Sequence, residues 1–312
     1  MDENHTIDEV TEMLDLLIIG SGPAGLSAAV YAIRSNLNIM VAEKEFLGTG
    51  QIMNSIRVDN YLGYWGITGM ELGEKFRLHA EELRVPFYTG EAVKIEKEDG
   101  VFRTHFDNGE ILESRTIIYA AGTRERHLSM AGAEAYAGSS IHSCVLCDGT
   151  MYRNRPVAVV GGGNTAVDAA NYLSDLASQI YLITIEDRFR GNPSTVKKLS
   201  ANPKVEMICG ATVVYAGGKD ADHMDYIVLS NGRKIRVDGL FESIGLIPQT
   251  EMVADLVIRD PAGYIEAGED CQTSLQGFFA AGDIRTKRLR QVATAVADGS
   301  NAAMSAYDYL NS

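Results

Sequence analysis

The sequence lacks any apolar run that could cross a membrane. Near its start the longest is Leu16–Ile19, whereas a spanning helix needs about 20 residues. Basic residues are scarce: 28 Lys and Arg stand against 42 Asp and Glu, a net charge of −14. That balance excludes a general binder of nucleic acid or anionic membranes, both of which demand basic surface. Cysteine is sparse as well. Four cysteines in 312 residues do not make a disulfide-stapled scaffold. The opening stretch Met1–Thr11 lacks the basic cluster of a secretory leader, and we read the protein as cytoplasmic. No low-complexity segment or long linker interrupts the chain. With 46% hydrophobic and 22% charged residues, disorder and coiled coil are excluded as the main state.

Glycine is abundant instead, at 31 residues. Many tight turns or close backbone approaches to a ligand would account for that. Leu14–Ile19 is apolar and runs into Gly20-Ser21-Gly22-Pro23-Ala24-Gly25. A helix over Leu26–Arg34 follows, then a second apolar run, Ile39–Ala42, ending at Glu43. Strand, glycine turn, helix, strand and acid form the fingerprint of a dinucleotide site. Gly20 permits the turn, Gly22 lets the backbone approach a pyrophosphate, and Gly25 lets helix pack on strand. Glu43 is placed to accept from a ribose hydroxyl.

The pattern recurs. Val157–Val160 leads into Gly161-Gly162-Gly163-Asn164-Thr165-Ala166, a helix over Ala166–Leu176, and a strand Ile180–Ile185 ending at Glu186. This second turn suits either a second nucleotide or a fold that has kept the turn without the ligand. Between and after the two units, Glu91–Phe106 and Val213–Arg236 alternate as small antiparallel sheets. Turns are expected at Asp99-Gly100, Gly217-Gly218 and Asn231-Gly232. Glu71–Glu82 reads as a helix with a solvated charged face, and Gln291–Leu310 as a closing helix. Trp65 is expected to pack, and His79 and His105 to be surface or satisfied core residues.

Cys144-Val145-Leu146-Cys147-Asp148-Gly149 is the remaining strong signal. A CxxC pair beside a βαβ pattern reads as a redox dithiol, and such a motif lowers a thiol pKa so that a thiolate can attack. Asp148 could supply or accept the proton each sulfur needs. The alternative is structural zinc, with His142 completing HxCxxC, but no second CxxC or histidine pair closes the shell. No metal site is assigned. Cys209 and Cys271 read as ordinary semi-buried cysteines.

Taken together, these motifs resemble the low-molecular-weight thioredoxin reductase family of flavoproteins. The likeness spans nearly the whole chain. It includes GSGPAG at Gly20–Gly25, GTGQI at Gly48–Ile52, VDNYLG at Val58–Gly63, AAGT at Ala120–Thr123 and CVLCDG at Cys144–Gly149. It continues through GGGNTA at Gly161–Ala166, GLIP at Gly245–Pro248, and AAGD with RQV at Ala280–Asp283 and Arg290–Val292. The resemblance implies an α/β fold of two Rossmann-like, three-layer ββα domains, the second inserted into the first. Residues 1–123 and 248–312 would bind FAD, and 124–247 would form the inserted NAD(P)-type domain with the CxxC pair. Matching flavin-contact positions are Gly20, Gly22, Pro23, Ala24, Glu43, Gln51, Asn60, Val93, Asp283, Arg290, Gln291 and Val292. Cys147 would be the flavin-side sulfur, Cys144 the one that attacks thioredoxin, and Asp148 the acid/base. The family also implies a homodimer, and an inserted domain that rotates so that the cysteines alternate between flavin and thioredoxin.

One departure bears on the electron donor. NADPH-dependent members carry HRRxxxR where this chain has Thr184-Ile185-Glu186 and keeps only Arg190. A carboxylate there repels a 2′-phosphate and suits a free ribose hydroxyl. Some family members lack that motif and accept electrons from ferredoxin, and ferredoxin is the donor expected here. Ferredoxins are acidic, and Arg285, Lys287, Arg288 and Arg290 suggest a basic docking patch; Arg124, Arg126 and His127 lie in the expected hinge. NADH, with Glu186 on its ribose, is the alternative donor. A reductase or oxidase of another disulfide, and a flavin-bound redox sensor, are the remaining alternatives.

Overall fold

A computed structural model describes residues 13–45, 48–55, 58, 60–143, 145–220 and 223–312. The chain divides into two compact units. One holds the chain up to Met53, Val58–Arg124 and Pro248–Ser312; the other holds Glu125–Ile247 with the short stretch Asn54–Arg57.

The first unit opens with β1 (Leu14–Ile19), α1 (Pro23–Arg34) and β2 (Ile39–Glu43), then α2 (Gly69–Glu82) and strands β3 (Phe87–Thr89), β4 (Ala92–Glu98), β5 (Val101–Phe106) and β6 (Ile111–Tyr119). The strand order is β3-β2-β1-β6-β5-β4. β1 lies parallel to β2, with Leu16 opposite Ile39, and parallel to β6, with Leu16 opposite Thr116. Because side chains alternate along a strand, β1 feeds two cores. Leu16 and Ile18 face the helices, among Ala28, Ala29, Ala302 and Ala303. Leu17 and Ile19 face the opposite layer, with Phe102, Phe106 and Phe278. The β4–β5 hairpin turns at Asp99-Gly100, both at positive φ (50° and 84°), as a two-residue primed turn requires.

β7 (Thr123–Glu125) leads into the second unit, which continues with β8 (Ile141–His142), the one-turn helix α3 (Val145–Asp148), β9 (Pro156–Val160), α4 (Asn164–Leu173), β10 (Gln179–Ile183), α5 (Pro193–Ser200) and β11 (Val205–Ile208). It continues through β12 (Val213–Gly218), β13 (Met224–Leu229), β14 (Lys234–Arg236) and β15 (Gly239–Glu242) to β16 (Leu246–Pro248). A parallel sheet runs β11-β10-β9-β15-β8, β12-β13-β14 form an antiparallel meander, and β7 pairs with β16. The layering again follows strand alternation. Ala158 and Val160 pack under the meander, with Val213, Ile227 and Leu229. Val157 and Val159 pack under α4, with Ala166, Ala170 and Leu173.

The chain then returns to the first unit. β17 (Phe278–Ala280) pairs in parallel with the end of β6, and α6 (Val292–Leu310) packs on α1. Gly299 makes that approach possible, since a Cβ there would sit 2.0 Å from the Ala24 carbonyl oxygen.

Several sequence expectations need correction. α1 starts at Pro23 and α4 at Asn164, so each glycine turn leads directly into its helix. α4 stops at Leu173, where Ser174 Oγ donates back to Asn171 O at 2.7 Å. Gly217-Gly218 is strand rather than turn, with a register shift between the two residues. A Cβ at Gly217 would lie 2.7 Å from the Tyr215 and Tyr226 rings, so glycine there makes room for aromatic packing. Trp65 is 81% exposed rather than buried. Cys209 is exposed and Cys271 is buried. No described helix is long and apolar enough to cross a membrane.

Candidate active site

The first glycine turn separates what the protein requires from what a ligand requires. Gly20 sits at φ +103°, and a Cβ at Gly25 would meet the Gly20 carbonyl oxygen at 1.8 Å. Both must be glycine for the turn to exist. Gly22 is different. Its φ is an ordinary −67°, and a Cβ there would make only ordinary contacts, at 3.9 Å. No described residue forbids a Cβ at Gly22, whereas a pyrophosphate at the amino end of α1 would.

Around this turn, Glu43 at the end of β2 accepts from Ser21 N and Ser21 Oγ, both at 2.9 Å, and from Lys44 N at 2.8 Å. Pro23 and Ala24 form the first turn of α1. Gln51 Nε2 donates to Thr123 Oγ1 at 2.9 Å. Asn60 Nδ2 donates to Gln291 Oε1 at 2.7 Å, and Gln291 caps α6, whose first residue is Val292. Val93 lies on β4, 53% exposed.

Asp283 follows β17. Its Oδ1 is buried without a hydrogen-bond partner among the described residues, and burial pushes its carboxyl above the usual range. A buried, unsatisfied carboxylate oxygen calls for a donor from outside the chain, such as a ribityl hydroxyl. The residues present therefore fit FAD. The Gly22→Val protein is expected to fold yet to purify with less than about a tenth of the flavin, because the valine would occupy pyrophosphate space. Flavin absorbance per chain measures this, and full flavin content would refute the assignment.

The run Arg285–Arg290 corrects the docking expectation. Arg285 donates to Asp298 from Nε at 2.8 Å and from a terminal nitrogen at 2.6 Å; Lys287 Nζ reaches the same carboxylate at 2.7 Å. The Arg285 residue is 8% exposed and the Lys287 side chain 6%. Arg290 stacks on the Tyr264 ring at 3.8 Å and donates to Asp283 O at 3.3 Å. Buried cations need a partner, and Asp298 supplies it from α6. Of the four, Arg288 alone is exposed, so these residues do not form a basic patch. In the expected hinge, Arg124 pairs with Glu251 at 3.4 Å and His127 with Glu242 at 2.7 Å.

At the second turn Gly161 is required by the chain, since a Cβ would lie 2.2 Å from Ser243 O. Gly163, like Gly22, has ordinary extended backbone, and a Cβ there would meet nothing. The far end of this cradle carries little free positive charge. Ile185 is 72% exposed, and the Arg190 guanidinium is held by the Glu186 carboxylate. Arg190 is thus neutralised by a carboxylate four residues before it.

Cys144 lies outside the described residues. Cys147 is on α3, and Asp148 is the last residue of that turn. Asp148 Oδ2 lies 3.3 Å from His142 Nδ1, and His142 Nε2 lies 2.7 Å from the Tyr152 hydroxyl. Phe241 packs against both rings, each at 5.5 Å between centroids. A cleft of about 760 Å³ opens here, lined by His127, Ser129, His142, Ser143, Asp148 and Glu242 among others. Glu242 is buried and also accepts from Leu128 N at 2.8 Å. Sequence reasoning weighed His142 only as a zinc ligand and passed over Tyr152 and Glu242. The signal for Glu242 was a carboxylate closing the apolar strand Gly239–Glu242. No cluster of three or more metal-ligating side chains occurs among the described residues.

Comparison with known proteins agrees with this geometry. The profile of the pyridine nucleotide-disulphide oxidoreductase family matches residues 14–299. A thioredoxin reductase of Mycoplasma pneumoniae is 35% identical over 311 residues, covering 98% of this chain and 97% of that one. The solved thioredoxin reductase of Lactococcus lactis superposes with a TM-score of 0.80 at 32% identity, over 96% of this chain and 99% of that one. A ferredoxin-flavin thioredoxin reductase of Clostridium acetobutylicum gives 0.54 at 26% identity, over 96% and 98%. The chain is thus a flavin-dependent member of the pyridine nucleotide-disulphide oxidoreductase family, homologous to the low-molecular-weight thioredoxin reductases.

Proposed function

We propose that the protein reduces the disulfide of a thioredoxin through Cys144 and Cys147, and that its electron donor is not NADPH. FAD, held by the first unit, supplies two electrons to the pair when bound. The Cys144 thiolate attacks the substrate disulfide, forming one S–S bond and releasing the first substrate sulfur, which takes a proton. Cys147 then gives up its proton and attacks Cys144, closing the enzyme disulfide and releasing the second substrate sulfur as a thiol. Two electrons and two protons leave the pair for the substrate. Asp148, adjacent in sequence to Cys147, carries the protons between sulfurs. The family likeness supports a homodimer, and a dithiol kept reduced suits the cytoplasm.

The observation that carries the donor reading is the Glu186–Arg190 pair beside the exposed Ile185. A 2′-phosphate would have to displace Glu186 from its arginine and then lie beside the displaced carboxylate. We favour a ferredoxin, whose single electrons a flavin accepts one at a time. The open backbone at Gly163 supports a second reading, NADH, whose ribose hydroxyl could donate to Glu186.

The test is anaerobic reduction of the purified holoprotein by NADPH, NADH and reduced ferredoxin, followed at the flavin absorbance. Fast reduction is expected from ferredoxin, slow from NADPH, and at most moderate from NADH. Rapid reduction by micromolar NADPH overturns the reading; fast reduction by NADH alone promotes the second.

A further inference from the structure

We infer that His142 is a positioning residue for the dithiol chemistry: with Tyr152 behind it, it holds the Asp148 carboxylate in its working direction. The inference rests on the reading of Asp148 as the acid/base of the pair.

The geometry is a chain of three side chains. The Tyr152 hydroxyl lies 2.7 Å from His142 Nε2, and His142 Nδ1 lies 3.3 Å from Asp148 Oδ2. Only 3% of the His142 side chain is exposed, so it has no water to substitute for either partner. Phe241 walls both rings and fixes the imidazole plane. Among the described residues, the charged and titratable groups that contact the ring are Asp148 and Tyr152.

Burial lowers the His142 pKa below its ordinary value and pushes the Tyr152 phenol up to about 12. Nδ1 faces the Asp148 carboxylate and Nε2 faces the Tyr152 hydroxyl, which also lies 3.5 Å from Ser139 O. Held at both nitrogens, the imidazole is fixed in orientation, as neighbours of a histidine fix its ring.

The purpose is mechanical. α3 is a single turn of four residues, too short to hold an aspartate rotamer by helix packing alone. Both His142 and Asp148 line the cleft of about 760 Å³, so the carboxylate is held on its buried side and open to protons on the other. Without the imidazole, the carboxylate would be free to turn towards water in that cleft.

The test uses the holoprotein reduced anaerobically with dithionite and mixed with oxidised thioredoxin in a single turnover, which removes the natural donor from the measurement. His142→Gln is expected to lower the rate at saturating thioredoxin by about tenfold, with the half-saturating concentration unchanged. His142→Asn is expected to stay within about twofold, because its amide nitrogen falls where Nδ1 sits and still donates to Asp148. Tyr152→Phe, which keeps the ring and loses the hydroxyl, is expected to cost about threefold and guards against a glutamine variant that does not fold. In an Asp148→Asn background none of the three should matter by more than about twofold, since residues acting through one group are not additive. Equal losses for Gln and Asn, or losses that multiply with Asp148→Asn, would overturn the positioning role while leaving the acid/base reading intact. Asp148→Asn turning over at the wild-type rate would remove that reading, and the inference with it.

Discussion

The double variant Ile185→Arg, Glu186→Arg is expected to bind NADP⁺ about 10²–10⁴-fold more tightly than the parent protein. Each guanidinium supplies a charge-assisted hydrogen bond to the 2′-phosphate, worth about 1.5–3 kcal/mol, and two such bonds correspond to that factor in affinity. The change also removes the carboxylate that now holds Arg190, returning a third cation to the site. Gly162 and Gly163 stay as they are, and so does the buried Thr184 beside them, so the pyrophosphate half of the cradle is untouched. Titration of the oxidised holoprotein with NADP⁺ and with NAD⁺ separates the two effects. The gain should be confined to NADP⁺ and should shrink with salt, as surface phosphate contacts do. Equal tightening of both nucleotides, or none of either, would refute the assignment of this corner to the adenosine ribose.

Asp298→Ala is expected to destabilise the first unit by about 3–5 kcal/mol. One carboxylate holds both Arg285 and Lys287, and it also accepts from Gly282 N at 3.0 Å. Removing it strands two buried cations, and breaking a buried pair from one side carries that order of cost. Asp298→Asn keeps the shape and one acceptor and should cost less. Denaturant unfolding read by far-ultraviolet circular dichroism decides between them. A loss below about 1 kcal/mol for the alanine variant, the range of an exposed pair, would mean the two cations find water. Because Gly282 and Asp283 are adjacent, flavin retention should fall in the same order as stability.

Much of the fold was legible because periodicity carries it. Leu14–Ile19 and Val157–Val160 are short apolar runs ahead of glycine turns, and each turn leads into a helix. What the sequence did not disclose depends on long-range pairing. The cluster Arg285, Lys287, Arg288 and Arg290 looked like surface because charge runs usually are. Asp298, which buries two of those cations, stands on another element, and local reading has no access to it. Gly217-Gly218 looked like a turn because glycine pairs mark turns, yet here they admit two tyrosine rings. His142 and Tyr152 are ten residues apart with no motif between them, and a β-strand and a short helical turn bring them together. The closing of Arg190 onto Glu186 likewise required the folded loop.

The β7–β16 ribbon has a consequence for how such a chain can be assembled over evolutionary time. On one side of it, Gln249 N donates to Gly122 O at 3.0 Å; on the other, Arg126 N donates to Gly245 O at 3.1 Å. The host chain is thus stitched shut at the point where the guest enters. Glu125–Ile247 is a long connection between Arg124 and Pro248, and closing so long a loop is only a logarithmic entropic burden. Insertions succeed where the ends of a module meet at the surface of their host. A lineage could therefore exchange the guest and leave the sheet of the host unaltered.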